Sequence, residues 1–384
     1  MLNWSTKKLG EIREEIKKEK APIGAMPYIE IGNVNVESKK VNFTEKGAVK
    51  GSIFCPEGSI LISRVRPTRG AVVLVNKKYA VSSAFTIIQP KINPRLLFYF
   101  LAWNKNFFEY LGNLQKGTSY PSVRESDILD FEVSFPEDKV EQQKIVYILD
   151  SIQDAIRTQE KIIEKTKELK KSLLNEIFNS KIKSQKSKFK IKRWEKLGNL
   201  CEKPEYGYTA NSIKKSLGPK FLRITDIQDE KVNWENVPFC ECKEVGKYLL
   251  NDRDILIARI GATTGKTFLI KNPPRAIFGS YLIRIKTKPK LFSDFLNYYF
   301  QSSHYWRQIN QLKGGKLKGG LNIPILQGLR VPLPPLPEQR EIAEILQTID
   351  QKIEIEQKKK ALYEELFRTM LNKLMTGEIR VDNL

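Results

Sequence analysis

The stretch Gly261-Ala262-Thr263-Thr264-Gly265-Lys266-Thr267 has the residue types of a phosphate-binding loop. Its spacing argues against one. That motif wraps phosphate oxygens in backbone amides and needs four residues between its first glycine and the Gly-Lys pair, whereas three stand here. Gly265 also falls opposite Gly70 of Ser63-Arg64-Val65-Arg66-Pro67-Thr68-Arg69-Gly70, so both stretches read as one strand-connecting loop present twice. The polar groups of this loop are Arg64, Arg66, Thr68 and Arg69 in one copy and Arg259, Thr263, Thr264 and Lys266 in the other. Such groups suit guanine edges and phosphate oxygens.

A second loop pair, QKGTSYPSVRESDI and QLKGGKLKGGLNIPI, mixes glycine with hydrogen-bond donors. Lys116, Thr118, Ser119, Tyr120 and Arg124 in the first, and Lys313, Lys316, Lys318 and Asn322 in the second, are candidate contacts to a phosphate backbone or base edges. Asn272-Pro273-Pro274 is similar to the Asn/Asp-Pro-Pro-aromatic element of amino-methyltransferases, but Arg275 replaces the aromatic that would stack on a flipped base. The one histidine, His304, sits in an aromatic helical stretch and reads as a packing residue with no second histidine to form a metal cluster. Cys55, Cys201, Cys240 and Cys242 lack the spacing of a disulfide framework or zinc site and are expected to be reduced thiols. No metal, no cofactor and no catalytic residue are expected in this chain.

The formal charge is +22, and its location is more informative than its size. Residues 1 to 136 carry +7 and residues 186 to 336 carry +16, whereas 137 to 185 and 337 to 384 carry +1 and −2. Positive charge confined to globular segments is the footprint of a polyanion surface, because neutralising phosphates releases counterions. Membrane attachment would favour a basic amphipathic helix, and the helices here are the neutral part. With no long apolar span and no charged-then-apolar start, a cytoplasmic protein is expected, with no membrane partner.

The elements that position these loops are themselves duplicated. Glu141-Gln142-Gln143-Lys144-Ile145 matches Glu338-Gln339-Arg340-Glu341-Ile342, and SILISRV (59 to 65) matches DILIARI (254 to 260). Within residues 1 to 136, short β-rich runs such as YIEIGNVNV, SILISRV, GAVVLV and AFTIIQP alternate with turns, and helices are expected at Lys7 to Lys18 and Pro94 to about Leu111. Residues 186 to 336 repeat the plan with KFLRITDI, DILIARI, KTFLI and YLIRIKT, then a helix from Lys290 to about Gln311. Each unit reads as an α+β domain ending in a proline-bearing extended run, after which a helix starts.

Those two helices carry a 4,3,4 heptad seam. In 137 to 185 it holds Ile145, Leu149, Ile152, Ile156, Ile163, Leu173 and Ile177, with Gln159, Thr166 and Lys170 at its polar positions. In 337 to 384 it holds Ile342, Leu346, Ile349, Ile353, Tyr363, Phe367, Met370 and Leu374, with Glu356 and Lys360. Such a seam on a charged helix needs another helix to bury it. Duplicated halves pairing through one face are expected to obey an approximate two-fold axis, so the helices run antiparallel. About 40 residues give roughly 60 Å at about 1.5 Å per residue, long enough to act as a ruler between two globular domains.

VPLPPLPEQREIAEILQTID, and its degenerate copy VSFPEDKVEQQKIVYILDSI, which lacks the double proline and has Asp138-Lys139-Val140 before the Glu-Gln, resemble the specificity subunit of Type I restriction-modification enzymes. Trp4 to Gly10, Trp194 to Gly198 and the KGTSYPS loop extend the resemblance over essentially the whole chain. It implies two target-recognition domains (1 to 136 and 186 to 336) reading the parts of an asymmetric, interrupted duplex DNA site. The spacer helices (137 to 185 and 337 to 384) would form an antiparallel coiled coil and dock modification subunits. It further implies S-adenosylmethionine in the adenine-methylating partner, and ATP and magnesium in a restriction and translocation subunit. Two alternatives stay open on residues alone: a phosphate-loop ATPase built on Gly261 to Thr267, and a coiled-coil scaffold for RNA or acidic proteins.

Overall fold

Ile60, Leu61 and Ile62 are apolar at successive positions because the strand Ile60–Ser63 is covered on both faces, and all four of its residues are buried. Ile60 and Ile62 point into one core with the helix Pro94–Ala102, and Leu61 points into a second with Ile29, Val73 and Val81. Ile255–Ala258 repeats this, with Ile255 and Ile257 on one side and Leu256 on the other. The computed structural model describes residues 4–16, 19–24, 26–42, 46–178, 189, 191, 193–228, 231–313 and 320–381. The chain divides into a first unit, Met1–Glu160 with Lys358–Leu384, and a second, Lys161–Gln357.

In the first unit Ile60–Ser63 lies between Val72–Leu74 and Phe85–Ile88, antiparallel to both. A second sheet orders Tyr28–Ile29, Tyr79–Val81 and Ile53–Cys55. In the second unit Ile255–Ala258 lies between Thr267–Leu269 and Leu282–Ile285, and Lys220–Leu222 runs parallel to Ala276–Phe278. Trp4–Lys8 pairs antiparallel with Glu132–Pro136, as Trp194–Lys196 does with Arg330–Pro332. Each unit is thus an α+β assembly closed by the strand that precedes its long helix.

The helix expected from Lys7 to Lys18 does not form. Trp4–Lys8 is strand, and the chain turns at once, with Leu9 N–H donating to Phe131 C=O (3.0 Å) and Gly10 N–H to Leu129 C=O (2.9 Å). Tertiary partners outcompete a short isolated helix, whose nucleation is costly. The helix expected from Pro94 to Leu111 is two, Pro94–Ala102 and Lys105–Leu114, because the Asn104 side chain accepts from Phe107 N–H (3.1 Å) and starts a new helix. Likewise Ser293–Gln301 and Ser303–Lys313 replace one helix, with Ser302 Oγ accepting from Tyr305 N–H (3.3 Å).

The long helices are Lys139–Phe178 and Leu336–Met375, 40 residues each. In the first unit Glu141, near the start of the first helix, lies 3.6 Å from Arg380 in the segment just past the end of the second, and farther along Glu160 lies 3.1 Å from Lys360 within it. In the second, Lys170 lies 2.6 Å from Asp350, while Leu174 and Ile177 share a core with Ile342 and Leu346. The pairing within each unit is therefore antiparallel. Ile145, Leu149, Ile156, Ile163 and Ile177 are buried, as are Ile342, Leu346, Ile353, Phe367 and Leu374. Ile152, Leu173, Ile349, Tyr363 and Met370 are half-buried. Val146, Phe178, Ala343 and Leu371 are buried beside the seam, because each helix also packs against a globular core.

Candidate nucleic-acid interface

Each core strand delivers an arginine to the same place. Arg64 N–H donates to Ala84 C=O (2.9 Å) and Arg64 C=O accepts from Val123 N–H (2.9 Å). Arg259 does the same with Tyr281 C=O (3.0 Å) and Leu321 N–H (2.7 Å). The guanidinium of Arg64 donates through Nη2 to Ser83 C=O, and that of Arg259 through Nη1 to Ser280 C=O at 3.5 Å. In both, Nε is buried without a hydrogen-bond partner. The backbone is pinned on two sides, so the cation is carried by the rigid sheet and not by a free loop.

In the first unit the two predicted loops come together around Arg64 and Arg66. Lys116 and Ser122 exchange both backbone hydrogen bonds (2.9 Å each), closing a hairpin whose tip holds Thr118, Ser119 and Tyr120, all exposed. Arg66 N–H donates to Pro121 C=O (2.6 Å), Nη2 to Ser119 C=O (3.4 Å), and the guanidinium carbon stands 5.1 Å from the Tyr120 ring centre. Thr68 and Arg69 are exposed on the 3-10 turn Pro67–Arg69 that follows, and Lys116 and Arg124 are exposed at the hairpin's base and beyond it. Beneath the turn, Lys39 Nζ donates to Gly70 C=O (2.7 Å) and faces the Phe108 ring at 5.4 Å; burial pushes its amine down to about 8.

In the second unit Gly261 to Thr267 is a hairpin loop, followed by the strand Thr267–Leu269. A phosphate loop needs a helix there to present amides, so the ATPase alternative has no geometry. Thr264 leaves the candidate set: it is 7% exposed, and its hydroxyl donates to Gly261 C=O at 2.7 Å. Thr263 is half-buried and Lys266 exposed. Asn322 caps the helix Ile323–Gly328, its side-chain oxygen accepting from Ile325 N–H (3.0 Å), which occupies that acceptor. Lys313 ends its helix, while Lys316 and Lys318 lie outside the described residues.

Tyr206 joins the site without any local sequence mark: the Arg259 guanidinium stands over its ring at 4.7 Å, and its hydroxyl accepts from Ile323 N–H at 3.2 Å. Beside it Gly207 permits a close backbone approach, since a Cβ there would fall 2.2 Å from the Gly279 carbonyl oxygen.

The remaining reactive side chains are packing groups. His304 packs tilted against the Trp194 ring at 4.4 Å with Nδ1 3.1 Å from the Tyr299 hydroxyl, and burial, then Arg307, lowers its pKa. Burial pushes the Cys55 and Cys201 thiols up to about 12 and Cys240 to about 11. Asn272, with φ +43°, bends the chain just before Pro273 and Pro274. Among the described residues no group of His, Cys, Asp and Glu is placed to hold a metal, and no helix is long and apolar enough to cross a membrane.

The family model of the Type I restriction modification DNA specificity domain matches this chain twice, over residues 1–168 and 166–365. The Type I restriction enzyme MjaVIII specificity subunit of Methanocaldococcus jannaschii is 28% identical over 411 aligned residues, spanning 100% of this chain and 94% of that protein. Among solved structures, a chain from a study of complex assembly and conformational transition of the type I R-M system has a TM-score of 0.66 at 20% identity, covering 99% of this chain and 100% of that one. The Type-I restriction-modification system S subunit from M. genitalium has a TM-score of 0.60 at 16% identity, covering 97% and 96%. At these identities the structural likeness concerns the fold.

Proposed function

The chain belongs to the Type I restriction-modification DNA specificity family, and we propose that each of its two units reads one part of an interrupted, asymmetric duplex DNA site. It is a sequence-specific DNA-binding specificity subunit with no turnover of its own. The observation that carries the two-part reading is the repeated frame. The same sheet arginine, Arg64 or Arg259, emerges at the same backbone junction in both units, while the loops around it differ. A common anchor with unlike surroundings suits two half-sites of different sequence on one kind of backbone.

In this reading modification subunits dock on the paired helices, bind S-adenosylmethionine and methylate adenine. A restriction subunit supplies ATP- and magnesium-dependent translocation, and the chain works in the cytoplasm, where the DNA is. Mapping methylated adenines in cells carrying this chain and its modification partner tests it. The expected result is one motif with two unlike fixed parts and an unspecified spacer. Methylation at an uninterrupted motif would overturn the assignment of one part to each unit.

A further inference from the structure

Resting on the DNA-specificity reading, we propose that Arg66, held in place by Tyr120, reads a guanine in the part of the site bound by the first unit, while Arg64 beside it contacts phosphate. Three observations converge on Arg66. Its backbone is left-handed, φ +48°, and it precedes a proline, an unfavourable place for a residue with a Cβ. Strain of this kind persists where the surroundings over-determine it, and it concentrates at ligand sites. Here the surroundings are the Pro121 and Ser119 carbonyls, which accept from its amide and its Nη2.

Second, Tyr120 is 72% exposed at the tip of a closed hairpin, with the Arg66 guanidinium against its ring. A tyrosine so placed contributes little to the core; what it does is hold a planar cation in one orientation. Third, Arg66 makes no ion pair among the described residues, so the charge is not consumed within the chain. A fixed planar fork is the group that matches O6 and N7 of guanine, and no other base edge in the major groove offers two acceptors to it in that way.

Arg64 differs in kind. It has the same backbone junction as Arg259, and one guanidinium nitrogen is tied to a serine carbonyl in both units. A feature common to two units that read unlike sequences carries no sequence choice, which suits phosphate. Arg66, in contrast, aligns with Gly261, so the second unit has no such fork at that position.

The test is selection of sites from a randomised duplex library by the full chain with its modification subunit, comparing wild type with Arg66→Lys, Arg66→Gly, Tyr120→Ala and Arg64→Lys. Lysine keeps the charge but loses the fork. Arg66→Lys and Arg66→Gly are expected to lose one fixed guanine in one part of the site, a roughly ten- to hundred-fold drop in discrimination there, with the other part unchanged. Tyr120→Ala weakens the same position. Arg64→Lys keeps the selected sequence and lowers affinity evenly. Arg66→Gly also relieves the left-handed strain, so its thermal midpoint at or above that of wild type separates lost recognition from lost folding. Retention of the wild-type motif by both Arg66 variants, or a change in sequence with Arg64→Lys, overturns the proposal. Wild type selecting no sequence would instead sink the DNA reading beneath it.

Discussion

Gln339, the glutamine of the repeated Glu-Gln pair, is fully buried and fastens the C-terminal helix to the second unit. Its Oε1 accepts from Phe292 N–H (2.8 Å), and its Nε2 donates to Lys290 C=O (3.0 Å) and Pro334 C=O (2.9 Å). Replacing it with alanine strands one backbone donor and two acceptors. Lys290 is exposed, so water can rescue its carbonyl; the other two groups stay unpaired at roughly 1–2 kcal/mol each, and the expected loss is about 3 kcal/mol. For a unit of this size that is a fall of roughly 6–12 °C in melting temperature. Gln142 makes the equivalent bonds to Asn93 N–H (2.9 Å) and Pro136 C=O (2.8 Å), so Gln142→Ala should act similarly on the first unit. Gln339→Glu keeps shape and volume but points an acceptor at two carbonyls, isolating the hydrogen bonds from packing. Differential scanning calorimetry checks all three. Midpoints within about 1 °C of wild type for both Gln339 variants would refute the argument, since the estimated loss is several times larger.

Lys39 predicts an alkaline gain in stability. Its folded pKa is depressed to about 8 from 10.5 by burial, so between these values the unfolded chain holds more protons, and raising pH favours the folded state by up to about 3 kcal/mol. Below pH 8 both states are protonated and the burial penalty is fully felt; Lys39→Met should flatten the profile, and urea unfolding from pH 7 to 10.5 measures it. Arg284, 3% exposed, bonds Glu205 and the Lys247 carbonyl (2.8 Å) and lies 3.5 Å from the buried Asp254. Arg284→Met should cost about 3–5 kcal/mol by chemical denaturation, and adding Asp254→Asn should recover part of it by removing the stranded carboxylate. Excising one heptad from each long helix should alter the number of unspecified base pairs in the selected site; an unaltered spacer would remove helix length as its determinant.

The seam residues were legible because a 4,3,4 apolar spacing on a charged helix has one economical use, burial against another helix, and Leu149, Ile156, Leu346 and Phe367 are buried. The core strands were legible for a similar reason: SILISRV and DILIARI are too continuously apolar to have a wet face. The breaks at Asn104 and Ser302 were hidden inside apolar helical runs, because a cap depends on where the backbone turns and not on periodicity. The strand Trp4–Lys8 was masked by the charged residues after it and is fixed by a partner more than 120 residues away. Tyr206 and Arg259 are 53 positions apart in sequence, so nothing local announces their stack. Thr264 looked like a ligand donor on residue type alone, and only the turn geometry shows its hydroxyl already engaged.

A domain exchange tests whether each unit reads its own part of the site. Residues 1 to 136 are replaced by those of a relative with a different target, and the sites selected from random duplex DNA by the complex with its modification subunit are sequenced before and after. One fixed part of the site is expected to change to the relative's, while the other part keeps its sequence. A change in both parts, or in neither, would contradict the two-part reading.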